Sequence, residues 1–174
     1  QLQICTEAND LRDNFEFGGT NLVYFDPNSP AAVGFRCDYE VWEVPTTLMH
    51  YIGFNLYSGY FTNDTLRAAV TYIVDREGLV NRVYGGYALA SELPCSPNSD
   101  LFDPQLAETY DYAPASFMEA LANSGVLTSE EYQNHAGIFL VCSEDQTRVA
   151  AANEICDTLK SYGLNIRISI VDRD

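Results

Sequence analysis

Residues 137–171 constrain the fold more than any other part of the chain. "GIFLVCS" is a continuous apolar run of strand length that begins at a glycine. Ser143 followed three residues later by Gln146 forms a capping-box pattern, and Val149, Ala152, Ile155, Cys156 and Leu159 then recur at the spacing of one helix face. Gly163 stops that helix, and "LNIRISIV" alternates Leu164, Ile166, Ile168 and Ile170 against Asn165, Arg167 and Ser169, the period of a strand. A buried strand, a long helix and a second strand in this order predict an α/β domain, with a mixed sheet flanked by helices.

The rest of the chain fits that class. Leu2 to Cys5 form a short apolar run that reads as a strand, and "TEANDLRDNFEFGG" presents Leu11, Phe15 and Phe17 as a helix face closed by Gly18-Gly19. "TNLVYFD" reads as a strand, and Pro27 and Pro30 hold "PNSPAAVG" to a turn. "FRCDYEVWEV" alternates like a half-buried strand, Pro45 interrupts it as a hinge, and "LMHYIGFNLY" resumes as a strand covered on both faces. Leu66, Ala69, Val70 and Ile73 then mark an amphipathic helix with Asn63 or Asp64 as its cap. A second short helix carries Leu79, Val80 and Val83 and ends at Gly85-Gly86, so that Asp75-Arg76 is the joint between the two. Residues 87–112 hold three prolines and no sustained period, which predicts a long surface loop. Pro114 opens a helix with Phe117, Met118 and Leu121, stopped by Gly125.

Charge and cysteines exclude several functions. The net charge is −16, from 25 acidic and 9 basic residues, with Lys160 the single lysine, so a polyanion such as nucleic acid is repelled. The stretches of apolar residues all fall short of the roughly 20 that a membrane helix needs, and "QLQICTEAND" lacks the pattern of an export signal. The five cysteines show no Cys-x-x-Cys, and the two histidines, His50 and His135, have no partner at ligand spacing, so neither a metal site nor a cofactor is expected.

Each remaining candidate has a structural reading beside the chemical one. Asp75-Arg76-Glu77 could be an acid with a cationic partner, but a helix cap with an ion pair explains it, and no nucleophile or base is tied to it by spacing. His135 in "QNHAG" reads as a loop residue. His50 lies in an apolar run, where it is either hydrogen-bonded in the core or part of a cleft wall. "FGGT" and "YGGY" lack the residues of a phosphate cradle, and Asn63-Asp64-Thr65 matches a glycosylation acceptor but is explained by the cap. Tyr51, Tyr57, Tyr60, Tyr84 and Tyr87 could line a recognition cleft.

The order of the pieces is more specific than any one of them. "YIGFNL", Phe61-x-Asn63, "LRAAVTYIVDREGLVNRVYGGYA", a proline-rich loop, "YAP" opening a helix that ends at Gly125, a strand, a long helix and "YGLNIRISIVD" follow one another. This succession resembles family 5 of the extracellular solute-binding proteins, which deliver peptides, and in some members nickel or other small solutes, to ABC importers. The resemblance runs from about residue 22 to the end and is most specific over residues 51–86.

The resemblance implies a two-lobed fold of the type II periplasmic-binding-protein kind that closes on a ligand without catalysis. Residues 1–45 would resemble the end of the first lobe and residues 46–174 the first part of the second, because family members are usually much longer. His50, Tyr51 and Gly53 would approach the ligand, an oligopeptide or dipeptide. Phe54, Asn55, Asn63, Arg67, Asp75, Arg76 and Gly163 would be structural. Ile73 stands where a small residue is usual, which implies different packing at that helix position. Membrane permease subunits would be the partners, and the location would be extracytoplasmic, at the cell surface or in the periplasm, with a lipid anchor. The alternatives are a nickel or other small-solute binder of the same family, and further off a stand-alone interaction module or an enzyme. An enzyme would need Cys95, His50 and an acid within hydrogen-bond reach.

Overall fold

The computed structural model describes residues 4–5, 7–27, 34–57, 59–133, 137–142 and 145–172. The chain divides into two units, residues 1–47 and 48–174.

In the first unit, helix α1 (Ala8–Glu16) forms as its spacing predicts, and Gly18 turns the chain with φ 76°. Leu11 and Phe15 are half-buried, whereas Phe17 is 83% exposed and caps the helix instead of joining its face. Phe15, Phe25 and Tyr39 gather around Phe35, with ring centroids 4.9, 5.9 and 5.4 Å from it. The three strands expected before residue 45 do not appear among the described residues: Ile4 and Cys5, "TNLVYFD" and "FRCDYEVWEV" carry no ladder. Alternation supplies the side chains of a strand, but a strand forms only against a neighbour that takes its backbone hydrogen bonds. Leu2, Pro30 and most of "PNSPAAVG" lie outside the described residues.

The second unit opens on the same lesson. Residues 48–57 are not a strand covered on both faces; they are unladdered, and Leu48 and Tyr51 are 83% and 80% exposed. Phe54 packs on Phe61 at 4.9 Å, and a 3-10 turn (Tyr60–Thr62) follows, held by Arg67, whose Nη1 donates to the carbonyls of Phe61 and Thr62 at 2.7 and 2.8 Å. Helix α2 (Asp64–Ile73) starts at Asn63: its side-chain oxygen accepts from Leu66 N at 3.0 Å, and its amide nitrogen donates to Ser124 O at 3.2 Å. The cap reading of the Asn-x-Thr sequence is therefore the one the structure adopts.

Helix α3 (Arg76–Arg82) begins at the joint. Asp75 caps it by accepting from Gly78 N at 2.8 Å, and its second oxygen meets Arg82 Nη2 at 3.1 Å. Arg82 continues to Glu154 through its Nε at 2.9 Å. A Cβ at position 78 would meet both the Asp75 carboxylate and the Arg82 guanidinium, so a larger residue there would displace the ends of these two side chains. Arg76 turns the other way, to Thr71 O (3.1 Å), Thr71 Oγ1 (2.8 Å) and Tyr110 O (3.4 Å).

The predicted loop over residues 87–112 contains a short helix, α4 (Pro104–Glu108), where Asp103 caps two amides and Pro104 takes the first turn. Helix α5 (Pro114–Ser124) ends at Gly125 in the left-handed conformation, φ 67°. Phe117 and Leu121 are buried, while Met118 is exposed. After the short α6 (Glu130–Gln133), β1 (Gly137–Cys142), α7 (Gln146–Ser161) and β2 (Ile166–Val171) form the expected unit. The strands pair in parallel from Gly137↔Ile166 to Cys142↔Val171.

Strand β1 is covered on one face only, with Ile138 and Leu140 exposed. The cap of α7 is Asp145, which accepts from Arg148 N at 2.9 Å; Ser143, like His135, lies outside the described residues. Burying Leu66, Ala69 and Ile73 of α2, Phe117 and Leu121 of α5, Cys156 and Leu159 of α7, and Ile166 of β2 in one cluster makes the core. Tyr60 is part of that core, not of a cleft, and its hydroxyl accepts from Asn165 N at 3.3 Å.

Truncating Phe117, which is fully buried, to alanine should lower the unfolding free energy by about 3–5 kcal/mol in urea titration. Asp75→Ala should cost about 1 kcal/mol, and Asp75→Asn less because asparagine still caps; a larger loss for the asparagine variant would contradict the joint described above.

Candidate functional site

His50 is the one expected site residue that the structure surrounds with polar groups. It lies on residues 48–57, while its neighbours come from two helix ends. Tyr84 follows α3, where Tyr84 N and Gly86 N close the helix on Leu79 O (3.2 Å) and Val80 O (2.9 Å), a closure that Gly85 and Gly86 permit with φ 59° and 84°. Asp145 and Arg148 occupy the cap and first turn of α7, just past the end of β1.

The distances define the proton positions. Arg148 Nε, which can only donate, donates to His50 Nε2 at 3.2 Å. That nitrogen therefore carries no proton, and the ring is the neutral Nδ1–H tautomer. Its Nδ1 is 2.7 Å from Tyr84 Oη and donates to it. The His50 pKa is lowered, first by burial and then by the Arg148 charge, against the opposing pull of Asp145. Asp145 Oδ2 is 3.9 Å from His50 Nε2, close enough for an ion pair with a charged ring. The lowered pKa and the Arg148 bond both favour the neutral ring, so at neutral pH that contact is not an ion pair. Asp145 instead neutralises Arg148, whose Nε it approaches at 2.8 Å. Tyr84 has its pKa raised by burial and by the Asp145 charge, and so remains protonated.

The other expected residues do not join this cluster. Tyr51 is 80% exposed, and adjacent side chains of an extended chain leave on opposite sides. Gly53 has open space where a Cβ would stand, so no close backbone approach explains it. Tyr57 and Tyr87 are exposed, Tyr57 at 93%. Phe54, Asn63, Arg67, Asp75 and Arg76 make the structural contacts already described; Asn55 accepts from Tyr57 N at 2.9 Å, and Gly163 ends α7 with φ 91°. Asp145 and Arg148 were missed in the sequence because the cap was placed at Ser143. An aspartate followed three residues later by an arginine at a helix start was the available signal.

His50 is engaged at both nitrogens, and Cys95 sits in a turn where its carbonyl accepts from Ser91 Oγ at 2.7 Å. Among the described residues there is no group of three His, Cys, Asp or Glu that could hold a metal, and no helix is long and apolar enough to cross a membrane.

The family model described as bacterial extracellular solute-binding proteins, family 5 Middle, matches residues 1–174. Heme-binding protein A of Haemophilus influenzae is 25% identical over 126 residues, 71% of this chain and 23% of its own length. The oligopeptide-binding protein AppA of Bacillus subtilis, in complex with a nonapeptide, matches with TM-score 0.63 and 20% identity over 97% of this chain and 35% of its own. NikZ of Campylobacter jejuni, in complex with Ni(L-His), matches with TM-score 0.54 and 22% identity over 68% of this chain and 25% of its own. The fold is that of two-lobed periplasmic binding proteins, of which this chain spans about a third or less.

Because the His50 pKa is lowered in the folded state, its contribution to stability is present above the unfolded value of about 6.5 and is lost as pH falls through the lower folded value. The difference in urea midpoint between the wild type and His50→Ala should therefore shrink from pH 7.5 to pH 5. Nitrogen NMR should show the Nδ1–H tautomer at pH 7.5; a ring protonated at both nitrogens would contradict the assignment.

Proposed function

Because the chain belongs to the bacterial extracellular solute-binding proteins of family 5, we propose that it is part of the extracytoplasmic receptor of an ABC importer, with an oligopeptide or dipeptide as its solute. The observation that carries this reading is a partly open polar cluster, His50, Tyr84 and Arg148, in a chain whose Tyr51 is exposed on the opposite side of the same segment. A peptide presents backbone donors and acceptors together with apolar side chains, and such mixed surfaces are recognised by aromatic walls with a few fixed polar groups. His50, Tyr51 and Gly53 are the proposed contacts from the extended segment. The nonapeptide held by AppA supports a peptide over a smaller solute.

In the same reading, residues 1–45 belong to the first lobe of a longer protein and residues 46–174 to the second. The protein would work outside the cytoplasm, at the cell surface or in the periplasm, held by a lipid anchor and docking on permease subunits. The net charge of −16 argues against nucleic acid as a partner.

Native mass spectrometry of the full-length protein, purified without refolding, should find a copurifying peptide that is lost on denaturation. Stoichiometric nickel or heme in place of peptide would overturn the peptide assignment.

A further inference from the structure

Helix α3 is tied to α7 by charge rather than by the apolar core. Its Leu79 is buried but stands outside the cluster that joins α2, α5, α7 and β2, and no α3 side chain packs on that cluster among the described residues. A cavity of about 90 Å³ lies between the two helices, lined by Leu79 on one side and by Ile155 and Thr158 on the other. Arg82 spans it. Its Nε donates to Glu154 Oε1 at 2.9 Å, and its Nη2 donates at 3.1 Å to Asp75 Oδ2, of the carboxylate that caps α3. One planar guanidinium thus holds a carboxylate at the start of α3 and another on α7, a double reach that its fork of donors makes possible.

We propose that the ion pair of Arg82 with Glu154 is a positioning device for the His50 cluster: it sets the separation of Tyr84 and Arg148, between which the imidazole is held. Tyr84 follows Arg82 by two residues, just past the end of α3, and Arg148 precedes Glu154 by six on α7. A helix keeps its length because every turn is hydrogen-bonded, so a pair that fixes Glu154 against α3 also fixes Arg148, about 9 Å away along the axis. His50 cannot set this separation itself. It lies on an unladdered segment, and its ring follows the two partners that bond to it. The tolerance is small, because the Arg148 bond is 3.2 Å long and roughly half an ångström more takes it beyond hydrogen-bond range. The ion pair is partly exposed, so it adds little to global stability, and its effect is read at the ring instead. Any effect on solute affinity rests on the solute-binding reading given above; the effect on the ring does not.

The test uses the full-length protein labelled with nitrogen-15 in histidine, the His50 signals being those lost in His50→Ala. In Arg82→Gln and in Glu154→Gln the ratio of Nδ1–H to Nε2–H tautomer at pH 7.5 should fall about tenfold, the worth of one hydrogen bond to a charged group. Both should fall alike although they change the net charge in opposite directions, and the double variant should match either one, since each removes the same link. Arg82→Lys, which keeps the charge but not the fork, should restore part of the ratio. Lys160→Gln is the control: it removes an ion pair to Asp157 on the same helix and should leave the ratio at its wild-type value. Unchanged thermal melting separates the effect from unfolding. Should the glutamine variants melt early, the comparison is made with Arg82→Lys, whose ratio must lie below that of the wild type. A wild-type ratio in both glutamine variants, or an equal fall in Lys160→Gln, would overturn the proposal. The solute extracted from the native protein and added back separates the two readings. A changed ring with unchanged affinity keeps the positioning role and counts against a solute site at His50, whereas affinity that falls in step with the ratio supports both.

Discussion

Parallel pairing of β1 with β2 obliges the chain to return across the sheet between them, and the return is made by the 16-residue helix α7. Both the core and the candidate site depend on that crossing. Cys156 and Leu159 carry the apolar side of α7 onto Ile166 and Leu164, beneath the helices α2 and α5. The same geometry delivers the start of α7 to the end of β1, so Asp145 and Arg148 come to lie beside His50. Open α/β sheets commonly place their binding groups at this end of their strands.

The charged residues divide between two jobs. Asp75 caps α3, Arg82 joins it to Glu154 on α7, and Arg76 ties the same joint to Thr71 and Tyr110. These contacts satisfy backbone amides and carbonyls that the break between α2 and α3 would otherwise leave open, which is why a dense charged triplet stands there without chemistry. The His50 cluster has a different character. Its groups satisfy one another in sequence, Arg148 to His50 to Tyr84.

What the sequence revealed follows from the range of the interactions involved. Helices α2, α3, α5 and α7 were legible because spacing, caps and stopping glycines are local; Asn63, Asp75, Pro114 and Gly125 each act within one turn. Strands β1 and β2 were legible as a pair because a helix of the right length separates them. The apolar runs before residue 57 looked equally strand-like, but their ladders require distant partners that alternation does not encode. The short helix α4 announced itself only through Asp103-Pro104, a signal obscured by the surrounding prolines. In the site, His50 stood out as a polar residue in an apolar run, and Tyr84 as one of many tyrosines. Asp145 and Arg148 could not be joined to them by inspection, since 98 residues separate His50 from Arg148 and only the fold brings them together.

The central claim is that solute meets this protein at the cluster built on His50. A crystal structure of the full-length protein, purified with its native solute and never stripped, tests it most directly. The account predicts electron density for the solute within roughly 4 Å of His50, Tyr84 and Arg148. Solute bound in the same protein with all three residues facing only solvent would contradict it.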